Sequence, residues 1–343
     1  MKCIVGMSGG VDSSTSAALM KERGFEVIGC TFKMFDSPKS AAAIAGAKRT
    51  ADFLKADHEV IDCVDDFKKS VKDYFSESYK NGITPNPCVI CNRFIKFKYL
   101  NEFRLRRDAE ILVTGHYVQI KKSGDRVELF RAEDLQKDQS YFLYGVDREI
   151  LKFAEFPLGG HPSKSYTRDL ARKFGLPSAE ESESQDVCFL PNNDYMSFLR
   201  QNSSEISAEG DIVDESGRIL GKHSGTSRYT IGQRKGLGLS GGPFFVRETD
   251  ALRNIVIVSD KNGLKVDKIF LKNVKFLNEE YLGECEVKIR SAGPKKSAKI
   301  MKTSAGYHAE LLQPEYGVAP GQHCVFYDGH RVLGGGEIDR AAA

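Results

Sequence analysis

In the first third of the chain, short apolar runs alternate with stretches of helical spacing. In the stretch Asp65–Asn81, for example, Phe67, Val71 and Tyr74 recur at intervals of four and three residues. Strands are predicted at Lys2–Met7, Val27–Phe32, His58–Asp62 and Glu110–Thr114, and helices at Ser13–Arg23, Ala41–Lys55, Asp65–Asn81, Phe94–Arg107, Ser165–Phe174 and Asp194–Arg200. Strands separated by helices indicate a mainly parallel sheet with flanking helices, which binds ligands at the carboxyl ends of its strands.

The pattern changes after the polar stretch Gln201–Gly210, which we interpret as a linker. Beyond it, apolar runs are short and turn residues are frequent, as in small β-barrel domains. Strands are predicted at Asn254–Val258, Lys268–Phe276, Glu284–Ile289, His308–Leu312 and His323–Tyr327. We therefore expect an α/β domain at residues 1–203, a small central β domain at 204–268 and a C-terminal β-barrel at 269–343.

Composition narrows the class of protein. Hydrophobic residues make up 41% of the 343 residues and charged residues 28%, which excludes a mainly disordered chain. The net charge of +3 is too small to indicate a nucleic-acid partner by itself. No apolar run approaches the roughly 20 residues that span a bilayer, so we expect a cytoplasmic protein with no membrane partner. Eight cysteines are too few for a disulfide scaffold, and we expect most to be buried thiols.

The turn after the first predicted strand has the chemistry of a polyphosphate site. Residues Ser8–Ser13 spell Ser-Gly-Gly-Val-Asp-Ser and open the first predicted helix. Glycines let the backbone approach an anion, and a helix N-terminus favours negative charge. Asp12 would repel phosphate, so it needs either a Mg²⁺ ion between them or a role in fixing the loop. The loop lacks the Walker A and dinucleotide-binding patterns, which argues against γ-phosphoryl transfer and NAD-type cofactors.

Three cysteines lie in contexts that suggest chemistry. Cys88 and Cys91 have C-x-x-C spacing before the predicted helix Phe94–Arg107, and a helix N-terminus lowers the pKa of a thiol. Cys188 follows a polar stretch that favours an exposed loop. No second C-x-x-C completes a zinc site. Two interpretations stay open: an iron–sulfur cluster with one open iron, or a nucleophile and a resolving thiol that cycle through a disulfide.

A group of basic residues in the C-terminal half is a candidate surface for a phosphate backbone. Its members are Lys288, Arg290, Lys295, Lys296, Lys299 and Lys302, with Glu286 among them. Such a group suits RNA, although the same pattern also occurs on the solvated face of a strand.

Together, these motifs resemble the tRNA-specific 2-thiouridylase family of PP-loop ATP pyrophosphatases. The matching segments keep their order along nearly the whole chain, whereas a generic PP-loop protein would share only the first. They are Gly6–Ser14, Thr84–Pro87, Cys91-Asn92, Ile95–Phe97, Thr114–Tyr117, Lys137–Leu143, Cys188-Phe189, Ile231–Gly238, Pro320–Gln322 and Leu333–Gly336. The resemblance implies an N-terminal PP-loop domain that includes a helical tRNA-contacting segment, a small central β domain and a C-terminal β-barrel.

The resemblance implies ATP-dependent 2-thiolation of the wobble uridine in tRNAs for Lys, Glu and Gln, through an adenylated O2 and with release of AMP and pyrophosphate. It implies ATP and Mg²⁺ as cofactors, and as partners tRNA and an upstream sulfur donor, either a cysteine desulfurase or a sulfur-relay protein. The family's ATP positions match Gly6, Met7, Ser8, Gly9, Gly10, Val11, Asp12, Ser13, Phe32 and Gly115. Its tRNA positions match Asn86, Pro87, Cys88, His116, Lys137, Asp138, Gln139, Arg290, Ser291 and Gln322.

The resemblance also implies roles for two cysteines. Cys188 matches the residue that carries the incoming sulfur as a persulfide, and Cys91 matches the partner that frees this sulfur by forming a disulfide. Many relatives have Asp at the position of Cys88, so the carboxylate that could assist proton transfer there is missing from this chain. This departure keeps a second route open, in which Cys88, Cys91 and Cys188 are the metal ligands of a [4Fe–4S] cluster.

Two other functions compete with thiolation. A different PP-loop ligase or amidotransferase would explain Ser8–Ser13 but neither the cysteine pair nor the β domains. A non-catalytic RNA-binding protein with a structural metal on Cys88 and Cys91 would leave the ATP loop unexplained.

Overall fold

The computed structural model describes residues 1–181, 187–190, 194–202 and 208–343. In the α/β region, the strands are β1 (Lys2–Gly6), β2 (Glu26–Lys33), β3 (Asp57–Asp62), β4 (Ile111–Val113), β5 (Val118–Ser123), β6 (Arg126–Arg131) and β7 (Ala154–Glu155). The helices are α1 (Val11–Glu22), α2 (Pro38–Phe53), α3 (Val64–Phe67), α4 (Tyr74–Lys80), α5 (Pro87–Cys91), α6 (Phe97–Arg106), α7 (Arg148–Leu151), α8 (Lys164–Lys173) and α9 (Tyr195–Asn202). Among the described helices, none has the length and apolar character needed to cross a membrane.

Five of these strands form the parallel sheet predicted from the alternation of strands and helices. Their order is β3-β2-β1-β4-β7, and every neighbouring pair is parallel. Cys3, Ile4 and Val5 of β1 have no exposed surface, as expected for a strand covered on both faces. The strand order reverses between β1 and β4, and the carboxyl ends of strands beside such a reversal form the usual ligand crevice.

Two π-helical turns interrupt the predicted helices. Lys68–Asp73 joins α3 to α4, and Asn92–Lys96 joins α5 to α6. The second helical segment therefore begins at Pro87 instead of the predicted Phe94. The prediction was wrong because it treated the prolines as an extended lead-in, although proline is well tolerated in the first turn of a helix.

The central β domain is a four-stranded sheet. Its strands are β8 (Gly210–Val213), β9 (Ile219–His223), β10 (Phe245–Asp250) and β11 (Ile255–Ser259), in the order β10-β11-β8-β9. Ile212, Val246 and Val256 are fully buried in its core. The predicted boundary between residues 203 and 204, and much of the predicted linker, lie outside the described residues.

The last part of the chain forms the predicted β-barrel. Its strands are β12 (Lys265–Phe276), β13 (Gly283–Lys288), β14 (Lys296–Thr303), β15 (Gly306–Tyr316), β16 (His323–Asp328) and β17 (Arg331–Ala342). They follow the order β12-β15-β14-β13-β16-β17, and pairing of β12 with β17 closes the barrel. The hairpin of β5 and β6, which the sequence pattern did not reveal, pairs with β17 and ties the α/β region to the barrel.

Candidate active site

The loop between β1 and α1 is held in shape by its own serines. Ser13 Oγ accepts a hydrogen bond from the Ser8 N–H at 3.1 Å, and it donates one to the Gly10 carbonyl at 3.1 Å. Gly9 has a φ of +80°, and a Cβ on this residue would lie 2.5 Å from the Ala43 carbonyl oxygen. The loop therefore requires glycine at position 9, and it presents the start of α1 at the crevice of the sheet.

Asp12 is part of an ion pair that the sequence did not predict. Lys164 Nζ, on the first residue of α8, lies 2.5 and 2.6 Å from the two Asp12 carboxylate oxygens. The Lys164 side chain is only 13% exposed. Of the two roles proposed for Asp12, the structure supports that of fixing the loop. It also places a lysine at the polyphosphate site, far along the chain from the loop, where no local motif could reveal it.

A buried chain of hydrogen bonds extends from this ion pair. The Tyr117 hydroxyl lies 2.8 Å from Asp12 Oδ1 and 2.9 Å from Thr167 Oγ1. Thr167 Oγ1 is in turn 2.8 Å from His161 Nδ1. Burial lowers the pKa of His161, so a neutral ring ends the chain. A fully bonded buried network of this kind rigidifies its members, and here it fixes Asp12 relative to α8.

Gly115 and Phe32 lie beside the same loop, as the ATP prediction requires. A Cβ on Gly115 would come within 2.8 Å of the Asp12 carbonyl carbon and the Ser13 nitrogen. Only glycine lets the chain after β4 approach α1 so closely. Phe32 is near the carboxyl end of β2, which pairs with β1. The structure thus brings the three predicted ATP segments to one edge of the sheet.

The cysteine-bearing segment begins with a helix cap. The Val89 N–H donates to Asn86 Oδ1 at 3.4 Å, and Pro87 occupies the first helical turn. Cys88 is therefore near the helix N-terminus, while Cys91 is buried further inside the helix. Burial raises the pKa of the Cys91 thiol to about 12, which outweighs the lowering effect of Lys96. The expectation that a helix N-terminus lowers the pKa of Cys91 is wrong, because the helix starts four residues earlier.

Lys96 is the cation that three thiols share. Protein atoms around each sulfur desolvate it and raise the pKa of Cys91, which is buried, and of Cys88 and Cys188, which are exposed as whole residues. In each case the next largest effect is a lowering by Lys96. The π-helical turn Asn92–Lys96 makes residues five apart neighbours on one helix face, which brings Lys96 beneath Cys91. Such turns occur frequently at functional sites.

His116 belongs to the same neighbourhood. Burial lowers its pKa to about 3, and the Lys96 charge adds to this effect. Its ring stacks on Phe97 at a centroid distance of 5.9 Å, and Nδ1 lies 2.7 Å from Thr114 Oγ1. At neutral pH the imidazole is therefore uncharged and firmly oriented.

The two cysteines with predicted catalytic roles converge beside the end of β2. The Cys91 Sγ lies 3.9 Å from the Sδ of Met34, which follows β2. Phe189, adjacent to Cys188, packs in the same apolar cluster as Cys91, and the charges of the two thiols influence each other. Cys188 itself is exposed. The thiols therefore lie near the edge of the sheet that carries the nucleotide loop.

The Cys88, Cys91 and Cys188 thiols are not arranged as a metal site in this structure. Within the described part of the chain, which includes all eight cysteines, no group of three or more His, Cys, Asp or Glu side chains is positioned to hold a metal ion. Each of the cysteines is a free thiol. The structure thus offers no ready ligand set for the [4Fe–4S] cluster.

Several predicted tRNA-contacting side chains make internal contacts. The Asp138 carboxylate is 1% exposed and pairs with Arg131 at 2.7 Å. Gln139 Oε1 accepts from the Tyr117 N–H, and Arg290 donates to the Gly317 carbonyl. Gln322 Nε2 donates to the Thr84 and Pro85 carbonyls at 3.0 and 3.3 Å, so the barrel supports the segment before Asn86. Lys137 and Ser291 are partly exposed.

The basic group in the C-terminal half is not a continuous cationic patch. Lys295 pairs with Glu286, Lys296 with Glu315 and Lys302 with Glu280. Lys288 is buried. The sequence pattern overstated the positive charge because two of these three glutamates, Glu280 and Glu315, lie outside the stretch that suggested the patch and are brought to it by the fold.

Comparison with known proteins gives matches along nearly the whole chain. Three family models match in succession: a tRNA methyl transferase HUP domain at residues 1–192, a tRNA methyl transferase PRC-barrel domain at 197–260 and an aminomethyltransferase beta-barrel domain at 266–338. A tRNA-specific 2-thiouridylase of Roseobacter denitrificans is 42% identical over 358 residues, which cover 99% of this chain and 94% of the relative. The chain belongs to the tRNA-specific 2-thiouridylase family.

Other similarities differ in strength. A tRNA-specific 2-thiouridylase of Pelobacter propionicus is 41% identical over 354 residues, covering 99% of this chain and 98% of the relative. The solved U34-tRNA thiolase NcsA from Methanococcus maripaludis, with its [4Fe–4S] cluster, is 18% identical. It has a TM-score of 0.38 and covers 59% of this chain and 66% of its own. So weak a structural likeness says nothing about the cysteines of this thiouridylase-family chain.

Proposed function

We propose that this protein uses ATP to replace O2 of the tRNA wobble uridine with sulfur, in the cytoplasm and on tRNAs for Lys, Glu and Gln. The observation that carries this proposal is the convergence of the nucleotide loop, Cys91 and Cys188 at one edge of a parallel sheet. Full-length similarity to tRNA-specific 2-thiouridylases supports the choice of substrate. A generic PP-loop ligase would need neither thiol.

In the first step, uridine O2 attacks the α-phosphorus of ATP and pyrophosphate leaves. The N–H groups at the start of α1 and the Ser8 hydroxyl would bind the polyphosphate, while the Ser13 hydroxyl, bonded to the Gly10 carbonyl, would hold the loop in shape. Lys164 neutralises Asp12, which would otherwise repel the phosphates. Mg²⁺ prefers carboxylate and phosphate oxygens and would compensate phosphate charge. Asp12 is the carboxylate of the loop that would hold the ion, and in this structure it is paired with Lys164.

In the second step, the outer sulfur of a Cys188 persulfide attacks C2 of the base, and AMP leaves with the electron pair of the broken C–O bond. The Cys91 thiolate then attacks the inner sulfur at Cys188. A Cys91–Cys188 disulfide forms, the sulfur–sulfur bond of the persulfide breaks, and the sulfur stays on the base. A thiol reductant later restores both cysteines. Lys96 stabilises each thiolate, because its charge acts on both sulfurs.

The tRNA side of the site is proposed to consist of nine residues from the α/β region and the barrel. They are Asn86, Pro87, His116, Lys137, Asp138, Gln139, Arg290, Ser291 and Gln322. The Asn86 side chain, whose oxygen caps α5, is uncharged, and the His116 ring is neutral. Both therefore suit hydrogen bonding to an uncharged base. Asp138, Arg290 and Gln322 are bonded to the protein here and would act mainly by positioning the segments that meet the RNA. The sulfur donor, a cysteine desulfurase or a relay protein, is proposed from the chemistry of the persulfide.

The test is mass spectrometry of tRNA nucleosides after incubation with ATP and a persulfide donor. We expect 2-thiouridine with the wild type and with the Cys285→Ser control, whose thiol lies in the barrel away from the site. Cys188→Ser should abolish sulfur incorporation and Cys91→Ser should stop turnover. Sulfur incorporation that survives Cys188→Ser would remove the catalytic assignment.

Two further measurements separate the alternatives. Pyrophosphate release that depends strictly on tRNA excludes a ligase acting on a small carboxylate. Iron and sulfide analysis after anaerobic purification tests the cluster route. A metal-free enzyme that thiolates tRNA from a persulfide donor excludes it, and an active enzyme containing stoichiometric iron would overturn the persulfide relay.

A further inference from the structure

A cavity of about 710 Å³ opens beside Cys188. The loop after β2, the helical segment at Lys72 and helix α9 enclose it, and Phe189 and Phe198 contribute apolar wall. Its volume lies in the range of small-molecule sites. Cys88 and Cys91 are not among the described residues that line it. A reagent in the cavity therefore reaches Cys188 without passing the other two thiols.

The cavity presents two cations to Cys188. Lys39 and Lys72 both line it, and the charge of each interacts with the Cys188 thiol. The Lys72 ammonium is 5.3 Å from the centre of the Phe35 ring, which fixes its direction.

The two acidic residues among the described lining residues already have partners. Asp36 pairs with Lys33 at 2.8 Å, and Asp194 accepts hydrogen bonds from Ser197 at the start of α9. Less of their negative charge therefore opposes an anion that approaches the sulfur.

One wall of the cavity, on the side of Phe189, is formed by packed aromatic rings. Phe189 packs against Phe67, Phe75 and Phe198 at centroid distances of 5.7, 5.4 and 5.1 Å. This packing holds Phe189, the neighbour of Cys188, in one position in the wall of the cavity.

We propose that this cavity is the entrance through which Cys188 is loaded, and that it binds the anionic persulfide end of a sulfur donor. The proposal rests on the function proposed above and adds the place and chemistry of loading. Once the bound persulfide anion has taken up a proton from solvent, the Cys188 thiolate attacks the outer sulfur of R–S–SH. A new sulfur–sulfur bond forms at Cys188, the donor's sulfur–sulfur bond breaks, and R–S⁻ leaves with its electron pair. The Cys188 thiolate and the donor's persulfide anion are both negatively charged, so Lys39 and Lys72 reduce their repulsion as the donor binds.

Loading is measured on the Cys91→Ser protein, in which the persulfide cannot proceed to the disulfide. The readout is the initial rate at which Cys188 gains one sulfur atom, by intact-protein mass spectrometry. One arm uses cysteine persulfide and the other a persulfidated cysteine desulfurase. The test variant is Lys39→Met with Lys72→Met. The matched control is Lys69→Met, an exposed lysine of the same helical segment that does not line the cavity.

We expect the double variant to load about tenfold more slowly, as is typical when cations that attract a charged reactant are removed, and the control to load at the parent rate. Slower loading of the double variant in either arm supports the cavity as the entrance, and the arm in which it occurs identifies the source of the persulfide. Unchanged loading in both arms overturns it, and so does unchanged loading combined with weaker tRNA binding, which would assign the lysines to RNA. Failure of the loaded wild-type enzyme to thiolate tRNA would instead refute the proposed function and leave the loading result intact.

Discussion

At the residue scale, two lysines decide the electrostatics of the site. Lys164 balances Asp12 at the nucleotide loop, and Lys96 acts on the three thiols and on His116. Lys164 fills a role that local sequence chemistry had left open, that of a partner for a carboxylate beside phosphate. Lys96 follows the cysteine pair closely in the sequence, and it stabilises thiolate in a buried helix.

Lys164→Met should weaken ATP binding about tenfold, or ~1.4 kcal/mol, because an unpaired Asp12 then faces the phosphates. Isothermal titration calorimetry with a non-hydrolysable ATP analogue measures this. Lys173→Met, at the other end of the same helix, is the control and should bind normally. Equal affinities for the two variants would contradict the role given to Lys164.

Lys96→Met should move the alkylation of Cys188 to higher pH. Lys96 lowers the pKa of this thiol against the raising effect of burial, so its removal leaves less thiolate at neutral pH. The measurement is the rate of Cys188 modification by iodoacetamide across a pH series. Lys98→Met is the control, since Lys98 pairs with Asp66. A profile that does not move would show that Lys96 has no influence on this sulfur.

At the element scale, the turn from β1 to α1 and the start of α5 position the chemistry. In the first, Gly9 in a left-handed conformation and the hydrogen bond from the Ser8 N–H to Ser13 Oγ hold the loop. In the second, the Asn86 cap and the π-helical turn orient Cys88, Cys91 and Lys96.

Adjacent glycines of the turn offer a matched pair of variants. Gly9→Ala should lower the free energy of unfolding by about 2 kcal/mol or more, because φ is +80° and the new Cβ would meet the Ala43 carbonyl at 2.5 Å. At Gly10 the nearest atom to a new Cβ is Ser8 Oγ at 3.7 Å, so Gly10→Ala should be nearly neutral. Urea unfolding compares them, and similar losses in the two variants would contradict the requirement for glycine at position 9.

At the scale of the whole molecule, the barrel is bonded to the α/β region that carries the nucleotide loop and the thiols. The hairpin of β5 and β6 extends its sheet, Gln322 holds the segment before Asn86, and Tyr144 bonds to the ring of His323 at 2.8 Å. The domains therefore meet through specific polar contacts as well as through apolar packing.

This contact predicts a loss of stability in acid. Burial, aided by Arg93, lowers the pKa of His323 to about 3, below its ordinary value of 6.5. Between these two values the unfolded chain binds a proton that the folded protein excludes, so stability present above pH 6.5 falls as the pH approaches 3. His323→Gln should flatten this decline in urea unfolding measured against pH. The exposed His330→Gln should leave it unchanged, and an unaltered slope in His323→Gln would count against the prediction.

The sequence alone predicted the alternation of β1–β4 with helices, the position of the nucleotide loop and the three cysteines with a candidate chemical role. Those features depend on residues that are neighbours in the chain, where hydrophobic spacing and glycine chemistry act locally. The sequence did not predict several later strands, among them β8, β9, β14 and β17. It did not reveal the start of α5 at Pro87 or the hairpin that joins the barrel, since proline and short polar strands give ambiguous local signals.

Only the tertiary structure decided which charges meet. Lys164 reaches Asp12 across 152 positions of sequence, glutamates from outside the basic stretch neutralise some of its lysines, and burial reverses the expected direction of the Cys91 pKa. Coulomb interaction and desolvation depend on distance and surroundings in space, which the order of residues along a chain does not specify.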